Sequence, residues 1–111
     1  MALTRSFKET IQARVQGDSA FREALLAEAI DALLAGDVDT GKAVLRDFIN
    51  ATVGFEQLAR ETHLPSKSLM RMFSPAGNPN ARNLFGVIGE LQKQIGVQLR
   101  AQSVREAAPT S

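Results

Sequence analysis

Apolar residues recur at helical spacing along almost the whole chain, and glycine, proline and capping residues cut that pattern into short lengths. Phe7, Ile11 and Val15 stand four apart, and Gly17 closes the segment. Asp18 or Ser19 is placed to cap the next helix by accepting a hydrogen bond from a first-turn amide. That helix is expected to carry Phe21, Leu25, Leu26, Ile30, Leu33 and Leu34 on one broad face, with Glu23, Glu28 and Asp31 elsewhere, and to end at Gly36. Asp37 caps a third helix holding Val44, Leu45, Phe48, Ile49 and Val53. Gly41 inside it costs about 1 kcal/mol against alanine, which points to close helix packing. A chain of this pattern folds as short packed helices.

After Val53 the segments shorten. Gly54 serves as N-cap for a helix from Phe55 to Thr62, with Gln57 placed to reach back to it. His63-Leu64-Pro65 interrupts, because Pro65 lacks an amide donor and disfavours a helical Leu64. Ser66 is then expected to cap a short helix from Lys67 to Phe73, and Ser74-Pro75-Ala76-Gly77-Asn78-Pro79 reads as a loop. Asn80 caps a longer helix over residues 81–95 that Gly96 ends. Beyond it Val97, Leu99 and Ala101 alternate with Gln98, Arg100 and Gln102, which predicts a short strand. A lone strand needs a partner, here another segment or a second copy of the chain. Residues 103–111 are small and polar and are expected to be disordered. The fold class is therefore all-α, one domain over residues 1–100 with about six helices, plus a short C-terminal β-strand pairing across a dimer.

Composition narrows the chemistry. The 111 residues include no cysteine, no tyrosine, no tryptophan and one histidine, so disulfides, thiolate metal sites and histidine-rich metal sites fall away. No glycine-flanked serine accompanies His63, which speaks against a nucleophile elbow and an enzyme. No cofactor or metal is called for. Apolar runs are too short for a membrane span, and the start turns charged too early for a signal peptide, so a cytoplasmic home without membrane contact is expected. Net charge is only +1, but it is unevenly spread: residues 1–53 carry six basic and eight acidic residues, and residues 54–111 carry seven and four. No carboxylate lies between Glu61 and Glu90, while Lys67, Arg71 and Arg82 do. Such a stretch suits a surface that faces something negative.

Residues 55–73 fit a helix-turn-helix. Ala59 is the small residue at the helix crossing, and Leu58, Leu64 and Leu69 are the apolar residues that hold the angle. The second helix has an outward face of Lys67, Ser68, Met70 and Arg71, with Leu69, Met72 and Phe73 inward. A helix entering a DNA major groove needs that division. The turn opens on His63, where positive φ and glycine are usual. For Lys67 and Arg71 DNA contact stands against plain solvation, and Met70 is open between core and groove wall. Arg82 and Asn83, in a helix first turn where a cation wants an anion nearby, read as phosphate contacts or as loop-bracing groups. Asn78 and Asn80 read as loop and cap residues.

The chain resembles the addiction-module antidote family, HigA-like antitoxins of type II toxin–antitoxin pairs. The resemblance spans about residues 3–100. It rests on Leu3-Thr4-Arg5 with Phe7-Lys8-Glu9-Thr10, on Gly41-Lys42-Ala43-Val44-Leu45-Arg46-Asp47, and on Asn50-Ala51-Thr52-Val53-Gly54-Phe55-Glu56. Lys67-Ser68-Leu69-Met70-Arg71-Met72 is its most specific run, followed by Gly77-Asn78-Pro79 and Ala81-Arg82-Asn83-Leu84-Phe85. His63 and the segment after Ala101 depart from the family pattern. The resemblance implies a Cro- and lambda-repressor-like helical domain that binds operator DNA as a homodimer, represses its own operon and neutralises a RelE- or HigB-like toxin by direct binding. It implies Ser66, Lys67, Ser68 and Arg71 as recognition-helix contacts, and the acidic N-terminal half as a surface for a basic toxin. The competing expectations are a helical protein-binding adaptor without a DNA role, and a plain repressor without a toxin.

Overall fold

A computed structural model describes residues 9, 10, 13, 14 and 17–106 of the chain. Within them lie five helices: α1 (Ser19–Leu34), α2 (Val38–Ala51), α3 (Phe55–Thr62), α4 (Ser66–Met72) and α5 (Ala81–Ile95). The described residues ahead of Asp18 are helical too. Phe7, Ile11 and Val15, expected to form the first helical stripe, lie outside the described residues.

Local chemistry sets most of the boundaries. Asp18 Oδ1 accepts from the Phe21 amide at 3.1 Å, Asp37 Oδ1 from Thr40 at 3.2 Å, and Asn80 Oδ1 from Asn83 at 2.7 Å. Each satisfies a first-turn donor that the helix itself leaves unpaired. Gly36 and Gly96 take φ of +85° and +71°, and the chain turns back so that the Asp37 amide donates to the Ala32 carbonyl and the Val97 amide to the Gln92 carbonyl. That is a left-handed C-terminal lock, open to glycine without penalty. Gly54 precedes α3 as expected, but no side chain completes a cap there.

α1 and α2 lie side by side in the largest helix–helix contact. Gly41 permits it: a Cβ there would stand 2.5 Å from Leu33 Cδ2 and 3.3 Å from the Ala29 carbonyl oxygen. The core draws on every helix, with Leu26 and Ala29 from α1, Leu45, Phe48 and Ile49 from α2, and Phe55 and Leu58 from α3. Leu69, Met72 and Phe73 close it from α4 and its end, and Val87, Ile88 and Leu91 from α5.

Two expectations are corrected, and a third, the C-terminal strand, is not seen within one chain. Leu34 is 72% exposed, because it sits one residue beyond Leu33 and so about 100° further round the helix, off the buried stripe. Ser66 is the first residue of α4 and not its cap; Pro65 occupies the cap position with φ −60° and ψ 140°, values that suit proline. Among the described residues there is no strand. Residues 97–106 run without regular structure, and the Leu99 amide, which a ladder would have used, donates to Gln92 Oε1 at 2.7 Å within the same chain. Residues 103–106 are exposed, and 107–111 lie outside the described residues.

No described helix is long and apolar enough to cross a membrane, and no group of His, Asp or Glu among the described residues is placed to hold a metal ion.

Candidate nucleic-acid interface

α3 and α4 form a tight corner. Leu58 and Leu69 are fully buried on its inner side, and Ala59 and Leu64 pack against the same cluster. The Phe55 and Phe73 rings, from the start of α3 and the end of α4, meet with centroids 6.4 Å apart at 46°. This tilted contact ties the two ends of the motif together. Thr62 Oγ1 donates to the Leu58 carbonyl at 2.8 Å and so satisfies one acceptor at the end of α3.

The corner turns at His63, with φ 59° and ψ 29°, the only non-glycine residue at positive φ among those described. Histidine visits this region more readily than branched residues do, at a cost of order 1 kcal/mol. The positive φ is the conformation expected at the opening of the turn, on a residue other than glycine.

On α4 the division into two faces is clear. Leu69, Met72 and Phe73 are buried, while Lys67, Ser68 and Arg71 are exposed and Met70 is 46% exposed. Met70 therefore belongs to the outer face. Ser66 is half-buried at the base of the helix. α4 carries two cations and no carboxylate.

Arg82 and Asn83 are brought to a different place. They line a groove between α3 and α5 with Glu61, Thr62, Leu64, Gly86, Val87 and Glu90, a lining to which α4 contributes nothing. Arg82 is exposed and Asn83 half-buried. The carboxylate-free stretch of sequence thus closes on itself in space. Glu61 and Glu90, which bound it, line the same groove as Arg82. The cationic surface is accordingly narrower than the linear charge pattern predicts. Asn80 is a cap residue, as expected.

One residue went unremarked in the sequence beyond its place in a motif. Lys42 is only 4% exposed. Its Nζ donates to the carbonyl oxygens of Ser74, Pro75 and Gly77 at 3.1, 3.3 and 2.6 Å, and lies 4.0 Å from Asp39 Oδ1. An ammonium has three donors, and all three are used. The signal was present: Lys42, Leu45 and Ile49 share one helical stripe, and a lysine on a stripe otherwise destined for the core calls for buried acceptors. Gly77 completes the arrangement, since a Cβ there would collide with the carbonyl oxygens of Arg71 and Met72.

Compared with known protein families, curated proteins and solved structures, the chain matches none.

Proposed function

We propose that the chain is a sequence-specific DNA-binding repressor that inserts α4 into the major groove, and that it doubles as the antitoxin of a type II toxin–antitoxin pair. The observation that carries the DNA reading is the two-sidedness of α4. Lys67, Ser68, Met70 and Arg71 stand outside, and Leu69, Met72 and Phe73 anchor the helix in the core. Such a helix has a fixed orientation and a polar, cationic outer face, the combination that base readout needs. The motif resemblance of residues 67–72 and 77–85 supports the same reading. The test is selection of bound duplexes from a random library, followed by titration of the selected duplex at several salt concentrations. A preferred sequence and a salt-dependent affinity are expected, and a chain that selects nothing refutes the proposal.

The proposed functional unit is a homodimer. Phe85 is 64% exposed on α5, and a Cβ added at Gly86 or Gly89 would meet open space. Residues 101–106, beyond the Val97 and Leu99 amides that Gln92 binds, are exposed and are available to a second copy.

The antitoxin role rests on the resemblance and on charge. Residues 23–41 hold five carboxylates and no lysine or arginine, and Leu34 and Val38 are exposed within that stretch at 72% and 48%. This is a surface suited to a basic protein. Co-expression with the product of the neighbouring gene should yield a complex that co-purifies and relieves growth arrest. A neighbour that neither binds nor is toxic removes this half of the reading. The adaptor reading draws support from Glu61 and Glu90, which line one groove with Arg82, and the absence of salt-dependent DNA binding would select it.

A further inference from the structure

We infer that Lys42 is a positioning residue for the DNA-reading helix, holding α4 in register through the loop that follows it without itself meeting DNA; this rests on the DNA-binding reading above. Lys42 belongs to α2, yet its three bonds end 32 to 35 residues further along the chain, on the loop that follows α4. That loop is folded back against the end of the helix. The Ser74 amide and hydroxyl both donate to the Arg71 carbonyl, at 3.2 and 2.7 Å, and the Gly77 amide donates to the Ser74 carbonyl at 3.0 Å. Gly77 presses so close on the Arg71 and Met72 carbonyls that no side chain fits. The backbone of Arg71, a residue assigned to base contact, is therefore part of a knot whose outer tie is the Lys42 ammonium.

Plain packing does not account for a lysine here. Taking an ammonium out of water costs several kcal/mol, and an apolar side chain of similar volume commonly packs as well or better. A lysine at this position provides direction instead, because three convergent acceptors place the loop, and with it the last turn of α4, in one location. An apolar replacement leaves three carbonyls without their donor and the loop without its tie.

The test uses the intact chain with Lys42→Met, and with Lys42→Arg as the milder variant, which keeps the cation in a planar fork that cannot converge on three carbonyls. Amide hydrogen exchange on the free protein reads the tie itself. Exchange at Phe73, Ser74 and Gly77 should rise about tenfold or more in Lys42→Met while the interiors of α1 and α5 stay protected, with a smaller rise in Lys42→Arg. Binding to the selected duplex and to a scrambled duplex reads positioning. The ratio of the two affinities should fall about tenfold in Lys42→Met, and less in Lys42→Arg, while the weak binding to scrambled DNA keeps its salt slope. If Lys42→Met fails to fold, Lys42→Arg alone decides. Unchanged exchange at the loop, or discrimination retained in spite of raised exchange, overturns the inference. A wild-type chain that binds no DNA refutes the functional reading instead, while the exchange data still judge the tie.

Discussion

His63 and Gly77 hold the two ends of α4 by opposite means. His63 accepts a left-handed conformation that a side chain tolerates poorly, with φ 59°. His63→Gly should remove that cost, partly offset by the greater freedom of the unfolded chain, for a net gain of about 0.5–1 kcal/mol. His63→Val should lose about 1–2 kcal/mol, because a branched side chain is worse there. Thermal unfolding measures both, and a His63→Gly variant less stable than the wild type by about 0.4–1 kcal/mol would show that the turn carries no strain. Gly77 is constrained by space. Its missing Cβ would strike the backbone carbonyls of Arg71 and Met72, which cannot swing aside, whereas at Gly41 the first atom met is the mobile tip of Leu33. Gly77→Ala should therefore cost about 2–3 kcal/mol, while Gly41→Ala, which recovers helix propensity, should stay within about 1 kcal/mol of the wild type. Denaturant midpoints for the pair check the ordering.

α4 is only seven residues long, too short to be stable alone, and its seating comes from Leu69, Met72 and Phe73. Its outer residues are consequently open to substitution with little effect on folding. Arg71→Ala should leave the unfolding midpoint in place and weaken the proposed operator complex by about 1–3 kcal/mol, with preference relaxed at one base position. An unchanged affinity would remove Arg71 from the reading face. Arg82→Ala should act differently. Arg82 sits in the α3–α5 groove beside Glu61 and Glu90, so its loss should weaken binding to all duplexes evenly and by less than the loss of Arg71. A sequence-selective effect would instead place it among base contacts. For α4 the face division was legible from spacing alone, whereas the start of the helix was displaced by one residue because Pro65 took the position expected for Ser66.

At the scale of the whole molecule, the proposed dimer multiplies few contacts into a usable affinity. With Lys67 and Arg82 each meeting one phosphate per protomer, four contacts predict that affinity falls roughly a hundredfold between 50 and 200 mM salt. Phe85→Glu should yield a monomer by sedimentation while each chain stays folded, since Phe85 is 64% exposed and outside the core. The monomer should lose most of its affinity for the two-half-site duplex. A Phe85→Glu variant that still sediments as a dimer moves the interface elsewhere, with the segment after Gly96 the next place to cut.

Sequence by itself determined the features that depend on neighbours a few residues away. Caps at Asp18, Asp37 and Asn80, left-handed stops at Gly36 and Gly96, and the inward and outward faces of α4 all arise from hydrogen bonds and side-chain directions within one or two turns. Tertiary structure decided what depends on residues far apart in the chain. Lys42 is a buried tie because a loop more than 30 residues away turns three carbonyls toward it. The carboxylate-free stretch is hemmed in by Glu61 and Glu90 because packing brings α3 and α5 together. Alternation after Gly96 formed no strand, because a ladder needs a second backbone and an alternating pattern supplies only one. Local patterns determine which groups a helix can satisfy by itself; only packing determines which acceptors a buried cation meets and which charges share a surface.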